Sequence, residues 1–421
     1  MRFIHCADIH LDSPLRGLEL YDGAPAEAMR DATRRAFANI VDLAVEHAVA
    51  FVIIAGDVFD GDWPDFNTGL FFAAQLRRLA DADIRVFLSY GNHDALSKLT
   101  KSVPLPKTVN VFPASHSTTF VDERLGVAIH GQSFATEAVT ADLAAGYPPS
   151  RSGLLNLGVL HTALAGRVGH QPYAPTTVDR LNGKGYDYWA LGHVHTREIV
   201  QQVPWIVFPG NTQGRHARET GPKGCMLVDA EPAIGIRAVE FVATDVARWQ
   251  HLSIDIAAIA TEDDLHATVQ SAVRAAQAVA ENRILALRLT LDGRGPLHGR
   301  LVAGRESLRA QLAASVGEAS AGMAWLEKVL LKVSAPLDLA RLARRDDPIG
   351  LLIRSLDALA ADPDALQSLA DGVLADLGQK LPAELRGCHG DWALDSREAL
   401  SDALASARER LLAATSAEDG A

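Results

Sequence analysis

Residues Phe51–Ala55 form an unbroken apolar run that stops on Gly56-Asp57, and this figure recurs along the first half of the chain. Asp8-Ile9-His10 follows the run at 2–7, and Gly91-Asn92-His93-Asp94 follows 85–90. His161 closes 154–161, and Gly192-His193-Val194-His195 follows 186–191. Uninterrupted Val, Ile and Leu mark strands covered on both faces, the habit of a largely parallel sheet. Polar groups just beyond the carboxyl ends of such strands line the crevice where open α/β sheets bind ligands. The punctuation therefore points to an α/β fold with its chemistry on one rim.

Helical spacing fills the gaps, through Met29, Ala36, Ile40, Leu43 and Val45 over 27–47 and again over 66–80. This βαβαβ order predicts a sheet with helices on its face. The later runs, 126–130, 154–161, 186–191, Trp205–Phe208 and 224–228, have no obvious helices between them and predict a second sheet packed on the first. The Gly and His punctuation stops near 243–249. Strand and helix patterns then alternate over 251–256, 262–280, 283–291, 305–316 and 325–333, a small α/β domain of about 90 residues. After Pro336 the chain turns Ala-, Leu- and Asp-rich, with helices expected at 349–361, 363–377 and 396–414. Asp395 or Ser396 is the expected N-cap of the last helix, and 416–421 a frayed tail.

Composition narrows the function classes. A chain of 421 residues exceeds one typical domain, and its 48% hydrophobic and 22% charged content is that of a globular protein. No stretch has the apolar length of a membrane span, and the N-terminus enters a strand without a leader pattern, so a cytoplasmic location is expected. Cys6, Cys225 and Cys388 are too few and scattered for a disulfide framework. The net charge of -12 counts against an autonomous nucleic-acid binder. Two bound divalent cations would offset that locally, and a basic partner could supply the rest.

The rim residues number more than one ion needs, which points to two ions sharing a carboxylate. Asp8 and His10 alternate at period two and point to one face, as do His193 and His195. Asp57 has two oxygens and follows a glycine, making it the natural bridge; Asn92 offers a carbonyl oxygen and His161 an imidazole nitrogen. Carboxylate, amide and imidazole donors without thiolate favour Mn, Fe or Zn over Ca. Two ions roughly 3.5–4 Å apart suit in-line displacement at phosphorus, so a hydrolase is the leading reading.

The five segments in this order resemble the calcineurin-like metallophosphoesterases, whose motifs run Asp-x-His, Gly-Asp, Gly-Asn-His-(Asp/Glu), His and Gly-His-x-His. More narrowly, His10-Leu11-Asp12-Ser13-Pro14-Leu15 and Pro209-Gly210-Asn211-Thr212-Gln213-Gly214-Arg215-His216, continuing through Glu219-Thr220-Gly221-Pro222-Lys223-Gly224, resemble the SbcD-type DNA repair nucleases and above all their YhaO-type relatives. The resemblance covers residues 1 to about 230 and implies an αββα sandwich over 1–245, a capping domain over 246–336 and a helical region over 337–421. It implies that Asp8, His10, Asp57 and His195 hold one metal, and Asp57, Asn92, His161 and His193 the other, commonly manganese. His93 would be the catalytic histidine, Asp94 its orienting carboxylate, and a metal-activated hydroxide the nucleophile. Some members carry histidine at the position of Asp60.

Other basic groups are weighed singly. Arg215 and His216 sit in a Gly-containing loop and divide evenly between contacting substrate phosphate and fixing the loop; Lys223 is the weaker candidate. His5, His47, His116, His251, His266, His298 and His389 lie outside the motifs and default to surface or satisfied core positions, and His130 and His170 match no motif. Leu351, Leu352, Leu356 and Leu359 form an apolar stripe that serves either a closing bundle or, as the resemblance implies, docking on an SMC-like ATPase. The expected activity is a metal-dependent DNA exonuclease. A small-molecule phosphodiesterase or phosphatase is the alternative, a non-catalytic DNA-end scaffold the weaker one, and a homodimer stays open.

Overall fold

The computed structural model describes residues 1–13, 31–60, 66–96, 104–164, 173–334, 339–380 and 397–418. Pro14, Leu15, the first four residues of the helix expected at 27–47, His170, His389, Asp395, Ser396 and the last three residues of the expected tail lie outside them.

From the N-terminus, β1 (Arg2–Cys6), α1 (Ala32–Glu46), β2 (Phe51–Ala55), α2 (Asn67–Asp81), β3 (Arg85–Ser89) and the short α3 (Asn92–Leu96) realise the βαβαβ pattern. There follow β4 (Val109–Val111), β5 (Thr118–Asp122), β6 (Val127–Gly131), β7 (Leu155–His161), α4 (Val178–Asn182), β8 (Tyr188–Gly192), β9 (Glu198–Gln202), β10 (Trp205–Phe208), β11 (Gly224–Glu231) and β12 (Gly235–Ala243). They build two six-stranded sheets, β12-β11-β1-β2-β3-β4 and β5-β6-β7-β8-β10-β9. β1 to β4 run parallel in register, as do β6, β7, β8 and β10, while β11, β12, β5 and β9 are antiparallel.

Period-two alternation explains the layers. Ile4, Val52, Ile54, Val86 and Leu88 face the helices, meeting Phe37, Ile40, Phe72 and Leu76. Their neighbours Phe3, Phe51, Ile53 and Phe87 face the other way, meeting Ile129, Leu157, Val159 and Tyr188 of the second sheet. The outer face of that sheet is covered by Trp189, Ile206, Phe208 and Leu181 with Tyr147 and Tyr186. The architecture is thus α/β/β/α, as expected. Each buried large side chain contributes roughly 1.5–3 kcal/mol, so strands buried on both faces must be continuously apolar.

The third sheet, β13 (Ala247–Asp255), β14 (Ile284–Arg294) and β15 (Ala324–Ser334), has the order β13-β14-β15. With it come α5 (Glu262–Ala278), α6 (His298–Ala303) and α7 (Arg305–Ala319). Among the described residues four C-terminal helices follow: α8 (Leu339–Ala343), α9 (Pro348–Ala361), α10 (Pro363–Lys380) and α11 (Arg397–Glu418). Helix α11 carries Ser416–Glu418, which the sequence leaves in a frayed tail. The chain divides into two compact units, one of residues 1–251, 276–287 and 323–327, the other of 252–275, 288–322 and 328–421. In α9 the apolar stripe splits: Leu356 is buried, Leu352 and Leu359 are half-buried, and Leu351 is 60% exposed, while Ile353 beside them is buried.

Candidate metal centre

The site is made where the carboxyl ends of β1, β2, β3, β7 and β8 meet. Asp8 and His10 leave β1, Asp57 leaves β2, Asn92 and His93 open α3 after β3, His161 ends β7, and His193 and His195 follow β8. The connecting segments are laced together: Asp8 N–H donates to Gly56 O (3.0 Å) and His10 N–H to Asp57 O (3.1 Å). The two sheets are joined by His193 N–H, which donates to the Asp8 carboxylate (3.0 and 3.1 Å). Asp8, His10, Asp57 and His193 all have positive φ, at 51, 46, 53 and 97°. Such backbone costs about 1–3 kcal/mol per residue and persists only where the surroundings over-determine it. Three glycines are needed sterically: a Cβ at Gly192 would overlap the Ala55 carbonyl oxygen, one at Gly56 the ring of His161, and one at Gly91 the Asp57 carboxylate.

Among the described residues two groups of donors take up the expected ligands, Asp8 with His10 and His195, and Asp57 with His161 and His193, while a third joins His10 to Asp60 and His93; within each, the candidate ligand atoms lie within 4.8 Å of one another. Asp57 Oδ2 stands 3.3 Å from His161 Nε2 and 3.9 Å from His10 Nε2, between the two groups. His161 Nδ1 donates to Ala55 O (3.0 Å), while its Nε2 faces both Asn92 Oδ1 (3.0 Å) and Asp57. A cation among these groups would reconcile them. Without a metal, a second ring proton fills that role: burial lowers the His161 pKa, but Asp57 outweighs it and raises the value to about 9. In the other group His10 Nε2 and His195 Nε2 face each other at 3.2 Å, with Asp8 Oδ1 3.9 Å from the latter. Two nitrogens roughly 2.1 Å from one ion at a right angle would stand about 3 Å apart. The donor set fits two divalent cations.

His93 lies beside these groups, its ring 5.0 Å from that of His10 and its side chain 38% exposed. Its Nδ1 donates to Asp60 Oδ1 (2.8 Å), and Asp60 also accepts from Ser13 Oγ (2.6 Å). Burial works against the charged ring, but the Asp60 hydrogen bond and the charges of Asp57 and Asp60 hold the His93 pKa above its ordinary value.

Asp94 does not orient His93. Its carboxylate accepts the backbone N–H groups of Gly91 (2.9 Å), Phe59 (2.9 Å) and Val58 (3.2 Å), and burial with the charge of Asp57 pushes its pKa up to about 7. Consecutive residues of a helix point about 100° apart, so on α3 the neighbour in sequence is not the neighbour in space. The partner is Asp60, which sequence flags only as a position where some relatives carry histidine; its three-residue spacing from Asp57 was the available signal.

The loop after β10 completes the site. The Arg215 guanidinium is turned inward, near Ser13 Oγ (3.3 Å), Asp60 (3.4 Å) and Glu219 (3.6 Å). His216 is more open, its side chain 57% exposed. Lys223 donates its Nζ to His195 O (2.9 Å). Glu219, which sequence leaves without a role, accepts His195 Nδ1–H at 2.6 Å. Despite burial, His195 and Arg215 hold its pKa well below the usual range. His5 is a satisfied core histidine between Tyr188 Oη (2.9 Å) and Leu191 O (3.2 Å).

Residues 1–197 match the calcineurin-like phosphoesterase family, and residues 249–334 match the middle domain of metallophosphoesterase YhaO. The sandwich and its rim lie within the first of these matches, so the chain contains a calcineurin-like phosphoesterase domain over residues 1–197. It carries the YhaO-type middle domain in addition. It is 35% identical to the uncharacterized metallophosphoesterase YhaO of Bacillus subtilis (strain 168) over 260 residues, 61% of this chain and 63% of that protein. It is 23% identical over 277 residues to the DNA double-strand break repair protein Mre11 of Methanopyrus kandleri, 59% of this chain and 58% of that one. Its similarity to the protein of that description from Haloferax volcanii is 27% over 255 residues, 56% and 51% of the two chains. The chain thus spans less than two thirds of the length of these relatives. Among the described residues, no helix is long and apolar enough to cross a membrane.

Proposed function

We propose that the protein is a two-metal phosphodiesterase that acts on DNA as an exonuclease. The observation that carries this reading is the pair of donor groups around Asp57, with His93 held by Asp60 beside them. Asp8, His10, Asp57 and His195 would hold one ion and Asp57, Asn92, His161 and His193 the other. Divalent ions held there, Mn²⁺ in our reading, would neutralise phosphate charge and lower the pKa of a water. His93 keeps a proton on the ring nitrogen opposite Asp60, in position to protonate the leaving oxygen. Asp60 holds the ring and stabilises its charged form, as carboxylates do for catalytic imidazoles. His216, open to solvent, is the better placed of the two loop candidates to meet a substrate phosphate, and Arg215 supports the loop beneath it.

DNA as substrate is supported by the similarity to proteins described as DNA double-strand break repair proteins. A coiled-coil ATPase of the SMC type is the proposed partner, with α9 and its exposed Leu351 as the docking helix. The net charge of -12 favours a second reading, a phosphodiesterase of small esters. Labelled single- and double-stranded DNA, assayed with Mn²⁺ against generic and cyclic phosphodiesters, separates the two. Efficient cleavage of the small esters with DNA left intact would sink the first reading.

A further inference from the structure

We propose that Glu219 is the positioning carboxylate of His195, setting which ring nitrogen faces the rim and thereby governing one of the two ion positions without touching an ion. The proposal rests on reading Asp8, His10 and His195 as one ligand group. Its ground is the way one stretch of chain, 211–223, encloses His195. Glu219 Oε1 accepts His195 Nδ1–H at 2.6 Å, and the carboxylate is buried. Its other oxygen accepts Asn211 Nδ2–H (2.9 Å) and Arg215 N–H (2.7 Å), so neither oxygen is free to turn. Lys223 Nζ and Asn211 N–H meet at the His195 carbonyl (2.9 and 3.3 Å), fixing the backbone as well as the ring.

The two donor groups differ in this respect. His161 is oriented by a backbone carbonyl, Ala55 O, which the sheet supplies whatever happens in the loop. His195 is oriented by a side chain of that loop. A carboxylate on the remote nitrogen fixes the tautomer of a metal-binding imidazole and makes its other nitrogen a stronger donor. Removal of Glu219 would leave the ring free to rotate and to present a protonated Nε2 toward His10. The isosteric amide is diagnostic. Glutamine can accept from His195 only by turning its NH₂ toward Asn211 and Arg215, which are themselves donors, so it must fail on one side.

The test is Mn²⁺ titration of the full chain by calorimetry, with bound metal counted after equilibrium dialysis, for wild type and Glu219→Gln. We expect two ions in the wild type. The variant should keep one at its wild-type constant and bind the other roughly 10–100-fold more weakly. Two ions at unchanged constants in the variant would overturn the proposal, and so would equal weakening of both. A wild-type chain that takes up no divalent ion would instead overturn the ligand reading itself. Should the variant fail to fold, the wild type still decides. With Zn²⁺ bound and imidazole nitrogens labelled, magnetic resonance should place the His195 proton on Nδ1, and a proton on Nε2 refutes the role of Glu219.

Discussion

His93 and Asp94 are adjacent in the chain and opposite in what they touch. His93 meets Asp60 and solvent, whereas Asp94 faces backbone N–H groups in the interior. Replacement His93→Gln should lower kcat roughly 10²–10⁴-fold while both ions still bind, as read by steady-state rates beside metal counting. Loss of metal together with activity would mean that His93 is a ligand. Asp60→Asn should fall between wild type and His93→Gln in rate, because an amide oxygen still accepts from Nδ1 but no longer favours the charged ring. Asp94→Asn should act on the fold instead. Its amide would set N–H against N–H, lowering stability by roughly 1–3 kcal/mol in denaturant unfolding. The gathering of these donor side chains was legible because their spacing follows strand ends. The carboxylates behind them, Asp60 and Glu219, were not, because a side chain that acts through another residue leaves no periodic trace.

Strand interiors were equally legible, and strand edges were not. β12, β4, β5 and β9, the four strands that sequence leaves unassigned, are the four edges of the two large sheets. An edge strand has one open side and fewer apolar positions, so Glu198–Gln202, reading Glu-Ile-Val-Gln-Gln, carries almost no strand signal. Where strand ends meet, tolerance vanishes. Gly192→Ala should abolish ion uptake and lower the thermal midpoint, since the methyl would overlap the Ala55 carbonyl and crowd His161 Nδ1. Normal uptake in that variant would show that the two strand ends are not held this close. Gln213 stitches the loop to the start of β13: its Oε1 accepts from Val246 N–H (2.9 Å) and Ala247 N–H (3.2 Å), and its Nε2 donates to Ala247 O (2.5 Å) and Gly214 O (3.1 Å). Gln213→Leu keeps the bulk and strands these groups, for an expected loss of roughly 1–3 kcal/mol. A neutral result there would mean that water replaces the amide.

At the scale of the whole molecule, the donors come from both sheets, so ion binding and folding are linked. Mn²⁺ at a hundred times its dissociation constant should add about 2.7 kcal/mol per independent site, and chelation should lower the unfolding midpoint accordingly. A midpoint indifferent to chelator would mean that no ion is held by the folded state. The division of donors between sheets also has a consequence in time. Asp8, His10, Asp57 and Asn92 precede His161 by at least 69 positions. At roughly 5–20 residues per second, a ribosome needs several seconds to cross that interval. Throughout it the nascent chain carries half a coordination sphere, with the other imidazoles still unmade. On the proposed assignment, a bridge at Asp57 would wait for β7 and β8, and metal selection would fall to the assembled sandwich.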